Sequence, residues 1–204
     1  MLTKKFEHKG ILDLEHRNFR NDDFWKEIPA WASVTRGEFS SHLWQLKNSV
    51  RKIEQVKKFL GDRISKEFYA ELEAGLLRTP MNIRITPYVF ALIDWDDPMN
   101  CPLRKQFLPV GSQFIDDHPM HEADSLSEDV DSPVPMLTHR YPDKVLFLPL
   151  TICPVYCAYC TRSRVIGGST ETTEKESYGA NQKYWDDVFA YISRNPKIED
   201  VVIS

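Results

Sequence analysis

The chain has 204 residues, of which 42% are hydrophobic and 27% charged, and its net charge is −4. That is room for one domain, or for one small domain and part of another, with the balance of a soluble globular protein. No apolar run nears the ~20 residues that span a bilayer, the mixed charges form no basic stripe for nucleic acid, and the charged N-terminus lacks the apolar stretch of a secretory signal.

Residues 1–38 show no clean period, and read as an N-terminal extension whose aromatics, Trp25 and Trp31 among them, pack against a neighbouring element or subunit. Helical signals begin near Ser40. Leu43, Leu46, Val50, Ile53, Val56 and Leu60 recur at three- and four-residue steps and mark one amphipathic face. Ser65 reads as an N-cap ahead of the stripe Phe68, Tyr69, Leu72, Leu76 and Leu77. Thr86-Pro87 places a cap and an N1 proline before the apolar stretch Tyr88 to Ile93. Residues 39–115 are therefore expected to form a helical subdomain.

Residues 116–135 read as an acidic, then extended, linker. From Asp116 to Ser132 there are seven acidic residues and no Lys or Arg, which predicts a solvated loop. A carboxylate metal site with His118 and His121 is the weaker alternative, because the spacing follows no known ligand loop. The prolines of Asp131-Ser-Pro-Val-Pro135 keep the backbone extended.

From residue 136 to 204 the pattern changes to strand, loop, helix and strand. Val145-Leu-Phe-Leu-Pro-Leu150 is a short apolar run suited to a strand buried on both faces, with Pro149 at its end or at a bulge. A polar loop, 167–182, leads to a helix with Trp185, Val188, Phe189 and Ile192 on one face, closed by Asn195-Pro196. Glu199-Asp-Val-Val-Ile-Ser204 is the next strand. This is one βαβ unit of an α/β fold. The last strand would leave an open edge, and a whole (β/α) barrel needs ~250 residues, so the chain is expected to be the truncated beginning of a longer protein.

Cys153, Cys157 and Cys160 begin at the end of the first of these strands, where (β/α) barrels carry their chemistry. Four cysteines, three of them so close together, suit a reducing compartment, the cytoplasm, and a metal rather than disulfides. A four-iron cluster normally takes four thiolates, so three with no local fourth would leave one iron open. The competing reading is structural zinc, which prefers a closed tetrahedral set. Its fourth ligand would have to be Cys101, about fifty residues upstream, or His139. The spacing favours iron–sulfur. Cys101 reads as an ordinary buried thiol.

The order of short motifs extends this. His139-Arg-Tyr-Pro-Asp-Lys144, the cysteine triplet and Cys160-Thr-Arg162 resemble lysine 2,3-aminomutase and its relatives, which are radical S-adenosylmethionine (SAM) enzymes. Ile85-Thr-Pro-Tyr-Val-Phe-Ala-Leu-Ile-Asp94, Pro102-Leu-Arg-Lys-Gln106 and Asp129-Val-Asp-Ser-Pro-Val-Pro135 are similar to the same family in the same order. The resemblance implies a radical SAM (β/α) barrel, of which this chain is the N-terminal portion. It implies an isomerase that shifts an amino group between adjacent carbons, using a 4Fe-4S cluster, S-adenosyl-L-methionine and pyridoxal 5′-phosphate (PLP).

By that resemblance Cys153, Cys157 and Cys160 hold the cluster, and Tyr159, otherwise a packing residue, lies near the SAM adenine. Arg140, Tyr141 and Lys144, otherwise a solvated turn bent at Pro142-Asp143, contact PLP, with Lys144 standing where the lysine enzyme is expected to carry arginine. Arg162, otherwise a surface arginine or a neighbour that eases the field of the cluster, grips the substrate carboxylate, as a guanidinium fork can and an ammonium cannot. The expected substrate is L-lysine, converted to β-lysine. Glutamate, arginine and a lysine destined for elongation factor P are the alternatives within the family, and Arg162 does not separate them.

The resemblance also implies a reducing partner such as flavodoxin or ferredoxin, and homo-oligomers of the full-length form. It places the PLP lysine, the residues that read the substrate side chain and a Gly-Gly-Asp motif beyond Ser204, so the chain alone is expected to be inactive. A non-catalytic iron–sulfur or zinc module, and an inert remnant, are the readings from other classes.

Overall fold

Caps and buried aromatics set the path of the first half of the chain. The computed structural model describes residues 22–115, 118–120, 122, 124–175 and 178–204. The first 21 residues of the expected extension lie outside the described residues, as do Asp116, Asp117 and His121 of the acidic segment.

Two 3₁₀ turns, Phe24–Glu27 and Pro29–Trp31, precede helix α1, Arg36–Phe39. Thr35 opens α1 reciprocally: its Oγ1 accepts from the Glu38 N–H at 3.3 Å, and Glu38 Oε2 accepts from the Thr35 N–H at 2.9 Å. Trp25 stacks on Phe39 at 4.4 Å, and Trp31 meets Trp44 and Phe90 edge-on. The aromatics of this stretch thus pack against helices of the same chain.

The three-and-four period from Leu43 to Leu60 runs across two helices, α2, His42–Lys47, and α3, Ile53–Leu60. Between them Asn48 Nδ2 donates to the Trp44 carbonyl at 2.9 Å and Ser49 Oγ to the Gln45 carbonyl at 2.8 Å. The Ser49 hydroxyl takes the carbonyl that a continuing helix would use, and the Trp44 carbonyl accepts both the N–H and the side chain of Asn48. Val50 then forms a two-bond antiparallel bridge with Ile85. Val50, Val56 and Leu60 are buried, whereas Leu43 is left exposed, so the single face is broken by a tertiary contact.

Helix α4, Lys66–Leu76, is capped by Ser65, and α5, Pro87–Leu92, by Thr86, each through its hydroxyl. Gly75 lets α4 lie against the Pro109 backbone, because a Cβ there would come within 2.5 Å of the Pro109 carbonyl oxygen. Helix α6, Pro102–Phe107, starts at Cys101, whose Sγ accepts from the Arg104 N–H at 3.4 Å and the Asp94 N–H at 3.3 Å. Phe59, Leu60, Leu72, Phe90 and Trp95 fill the core between these helices.

The second half is a three-stranded sheet with one helix against it. Strand β1, Leu137–Tyr141, runs antiparallel to β2, Lys144–Phe147, with Pro142-Asp143 as the bend. The expected solvated bend at Pro142-Asp143 is present, and the residues before it form a strand that sequence patterning did not mark. After helix α7, Gln182–Arg194, strand β3, Asp200–Ile203, pairs in parallel with β2, Val145 opposite Val201 and Phe147 opposite Ile203. The expected strand–helix–strand unit is therefore present. Val188 of α7, with Trp185 and Ile192, packs on Leu137, Val145 and Phe147. Leu146, between them on the other face, is only half-buried, so β2 is covered on one face rather than both. Pro149 lies beyond the strand, where it removes no ladder bond. Among the described residues no helix is long and apolar enough to cross a membrane.

Candidate functional site

The cysteine loop leaves β2 and is tied down at both ends and in the middle. Thr151, buried, exchanges hydrogen bonds with Tyr178 through its N–H and its hydroxyl. The Tyr156 N–H donates to the Arg84 carbonyl and the Ala158 N–H to the Gln106 carbonyl, both at 2.8 Å. Asn82 Nδ2 donates to the Gly168 carbonyl at 2.9 Å. Gly167, at φ +84°, brings the backbone against the Tyr156 ring, where a Cβ would sit 3.1 Å from the nearest ring carbon. Segments of the helical half that precede the loop by fifty residues and more thus hold it in place.

Cys153, Cys157 and Cys160 are all free and half-buried. Burial first, then the nearby charge of Cys160, pushes the Cys153 thiol above its ordinary value, while Arg84 and Arg162 pull it back. Burial and Cys160 likewise raise Cys157. The three thiols lie within electrostatic reach of one another. Among the described residues, however, no group of three or more His, Cys, Asp or Glu is placed to hold a metal ion. The loop supplies the right donor chemistry for an iron–sulfur cluster without a preassembled ligand cage.

Both residues that could have closed a zinc set are engaged elsewhere. Cys101 caps α6 in the helical core, and His139 Nδ1 is 2.7 Å from the Tyr191 hydroxyl of α7. Tyr159 is exposed, with its hydroxyl donating to Gln106 Oε1 at 3.3 Å.

Arg140, Tyr141 and Lys144 line one cavity of about 200 Å³ together with Glu128, Thr138 and Leu146. Arg140 Nε donates to Asp131 Oδ2 at 2.7 Å and its Nη2 to the Leu126 carbonyl, and Lys144 pairs with Asp143 at 3.2 Å. The hairpin bend, not sequence adjacency alone, gathers these three side chains onto one wall.

The acidic segment departs most from expectation. Instead of a fully solvated loop it folds over the cysteine loop and pairs with its arginines. Glu128, 6% exposed in its side chain, accepts from Arg162 Nη2 at 3.3 Å and from Arg164 Nη1 at 3.1 Å. Arg164 also donates to Asp129 at 3.0 Å and lies 3.6 Å from Asp124. Burial alone would raise Asp124, but the N–H groups of Asp129 and Glu128 and the charges of Arg164 and Arg140 hold it below the usual carboxylate value. Arg162 keeps a buried Nε with no hydrogen-bond partner. The weaker metal reading gains nothing, since no metal-holding group is present among the described residues and His121 lies outside them.

Arg84, Glu128 and Lys175 are the residues of this neighbourhood that sequence patterning did not single out. Arg84 carries a buried, unpartnered Nε beside the Tyr156 ring, and Lys175 is buried. Arg84 and Glu128 come from segments distant in sequence and Lys175 from the polar run after the cysteines, and no local periodicity marks them.

No protein-family model matches the chain. Curated proteins do. It is 37% identical over 196 residues to the L-lysine 2,3-aminomutase of Bacillus subtilis, covering 94% of this chain and 38% of that protein. It is 38% identical over 174 residues to the L-lysine 2,3-aminomutase of Fusobacterium nucleatum, covering 84% of this chain and 37% of the relative. The glutamate 2,3-aminomutase of Clostridioides difficile is 25% identical over 203 residues, covering 99% and 44%. The chain thus spans about two fifths of the length of the curated relatives it matches.

Proposed function

Because the chain belongs to the lysine 2,3-aminomutase family, matching its N-terminal portion, we propose that it supplies the cluster-holding and phosphate-holding part of a radical SAM, PLP-dependent amino acid 2,3-aminomutase. The proposed substrate is L-lysine and the product β-lysine. Lysine is preferred over glutamate because the lysine relatives are 37% and 38% identical and the glutamate relative 25%.

The observation that carries this reading is the position of Glu128. It lines the cavity of Arg140, Tyr141 and Lys144, and it also accepts from Arg162 of the cysteine loop. Two sets of residues with separate expected roles therefore meet at one carboxylate. When bound, the cluster and SAM supply a 5′-deoxyadenosyl radical and PLP carries the amino acid, so the hard chemistry belongs to the cofactors.

The chain's own part is to bind, orient and shield. Cys153, Cys157 and Cys160 hold three irons. Arg140 and Lys144 offset the charge of a phosphate, and Tyr141 walls the same cavity. Tyr159, exposed beside the third thiol, presents a ring for the adenine. Arg162 offers its guanidinium to the substrate carboxylate while Glu128 fixes its orientation from behind.

The test is anaerobic reconstitution with iron and sulfide, followed by EPR of the dithionite-reduced protein with and without SAM. A reduced four-iron signal that changes on adding SAM is the expected result. Stoichiometric zinc, or no cluster, would sink the reading.

A further inference from the structure

Lys175 is the charge for which the rest of the molecule gives least reason. It leaves a run of polar residues, turns inward and is 9% exposed. Its Nζ donates to the Ile166 carbonyl at 2.8 Å and to Met81 Sδ at 3.4 Å. An ammonium has three donors and a thioether is a weak acceptor, so its hydrogen bonding is poorly met. Among the described residues no carboxylate is paired with it. Burial lowers it from the ordinary lysine value, and the charge of Cys160 acts in the opposite direction. A buried charge without a partner is costly, and proteins keep one chiefly where an opposite charge belongs.

Its surroundings say where that opposite charge would be. Met81, Tyr156 and Ile166 form a buried apolar cluster against which Cys153 and Cys160 pack. Lys175 touches two members of that cluster, so its ammonium lies against the same apolar patch as the thiols. The charges of Arg84 and Arg162 act on the Cys153 thiol, and each of these arginines has a buried, unpartnered Nε. One cation from the helical half, one from the cysteine loop itself and one from the polar run after it thus lie about the cysteines.

We propose that Lys175 is a positioning residue for the iron–sulfur group, the buried counter-charge to an anionic cluster held by Cys153, Cys157 and Cys160. The inference rests on the cluster-holding role proposed above. Three thiolates outweigh the charge of an oxidised four-iron core, and one-electron reduction adds to the excess. A buried ammonium nearby therefore stabilises the reduced form more than the oxidised one, and it also favours retention of the cluster.

The experiment compares Lys175→Met and Lys175→Arg with the unaltered chain. In metal-free protein, Lys175→Met removes an uncompensated buried charge at nearly constant volume and raises the melting temperature, while Lys175→Arg does not. A lower melting temperature for Lys175→Met would make the residue a structural tie and overturn the inference. After anaerobic loading with ferrous iron and sulfide, a potentiometric titration read by EPR shows a lower midpoint for Lys175→Met and a retained one for Lys175→Arg. At a fixed poise the reduced-to-oxidised ratio falls about tenfold, the effect of one charge roughly 10 Å away at an effective dielectric of about 20. An unchanged midpoint refutes the role of Lys175 and leaves the cysteine assignment standing. Failure of the unaltered chain to take up a cluster refutes both.

Discussion

The helical half and the cysteine-loop half of this chain bury cations in opposite ways. In the helical half Arg104, 1% exposed, donates to the carbonyls of Pro98, Met99 and Leu108 and to Gln113 Oε1, with no carboxylate in the set. Burial lowers its proton affinity from the ordinary value, yet all three guanidinium nitrogens are in use. Around the cysteine loop, Arg162 and Arg164 meet the carboxylates of Asp124, Glu128 and Asp129, Arg84 and Arg162 each keep an unpartnered Nε, and Lys175 has a carbonyl and a thioether. A guanidinium whose donors are spent on backbone carbonyls is structure. Cations with donors to spare, gathered beside thiols, are capacity for an anion.

The comparison is broken most forcefully at Arg104. Arg104→Met leaves the Pro98 and Leu108 carbonyls without a donor, the Met99 carbonyl keeping Gln113 Nε2, and is expected to destabilise the chain by about 3–5 kcal/mol in urea unfolding. A loss below about 1 kcal/mol would mean that water replaces the guanidinium and that the residue is not structural in this sense. The carboxylate side gives a smaller effect. Glu128→Gln keeps the shape but removes the charge shared by two arginines, and should cost about 1–3 kcal/mol. Arg164 retains Asp124 and Asp129 in that variant, which is why the loss is smaller than at Arg104.

Asp124 sharpens the contrast through pH. Its folded value is held below the ordinary carboxylate value of 3.8, so its contribution is present above the unfolded value and is lost as pH falls through the folded one. Melting temperature measured from pH 6 downward should therefore fall more steeply below about pH 4 in the unaltered chain than in Asp124→Asn. Parallel curves would show that the carboxyl is not stabilised by folding.

Much of the local structure was legible beforehand, because local rules decide it. Ser65 and Thr86 cap where a hydroxyl precedes an apolar stripe, and Pro142-Asp143 bends the chain where a turn is cheapest. The parallel pairing of β2 with β3 follows from strand, helix and strand in succession. The α2–α3 break was not legible, because the bridge between Val50 and Ile85 joins residues thirty-five apart. Strand β1 was hidden for a related reason: His139-Arg-Tyr lacks apolar alternation and is a strand only because β2 pairs with it.

The candidate site divides along the same line. Sequence by itself determined the cysteine spacing, the family and the set of cations Arg140, Lys144 and Arg162, since these depend on residue type and order. Only the tertiary structure decided that Arg140, Tyr141 and Lys144 share one cavity, that the acidic segment closes on Arg162 and Arg164, and that Lys175 turns inward. Charge pairing and burial depend on which segments meet, and a carboxylate or an ammonium in a polar run looks the same in sequence whether it faces water, an arginine or a thioether.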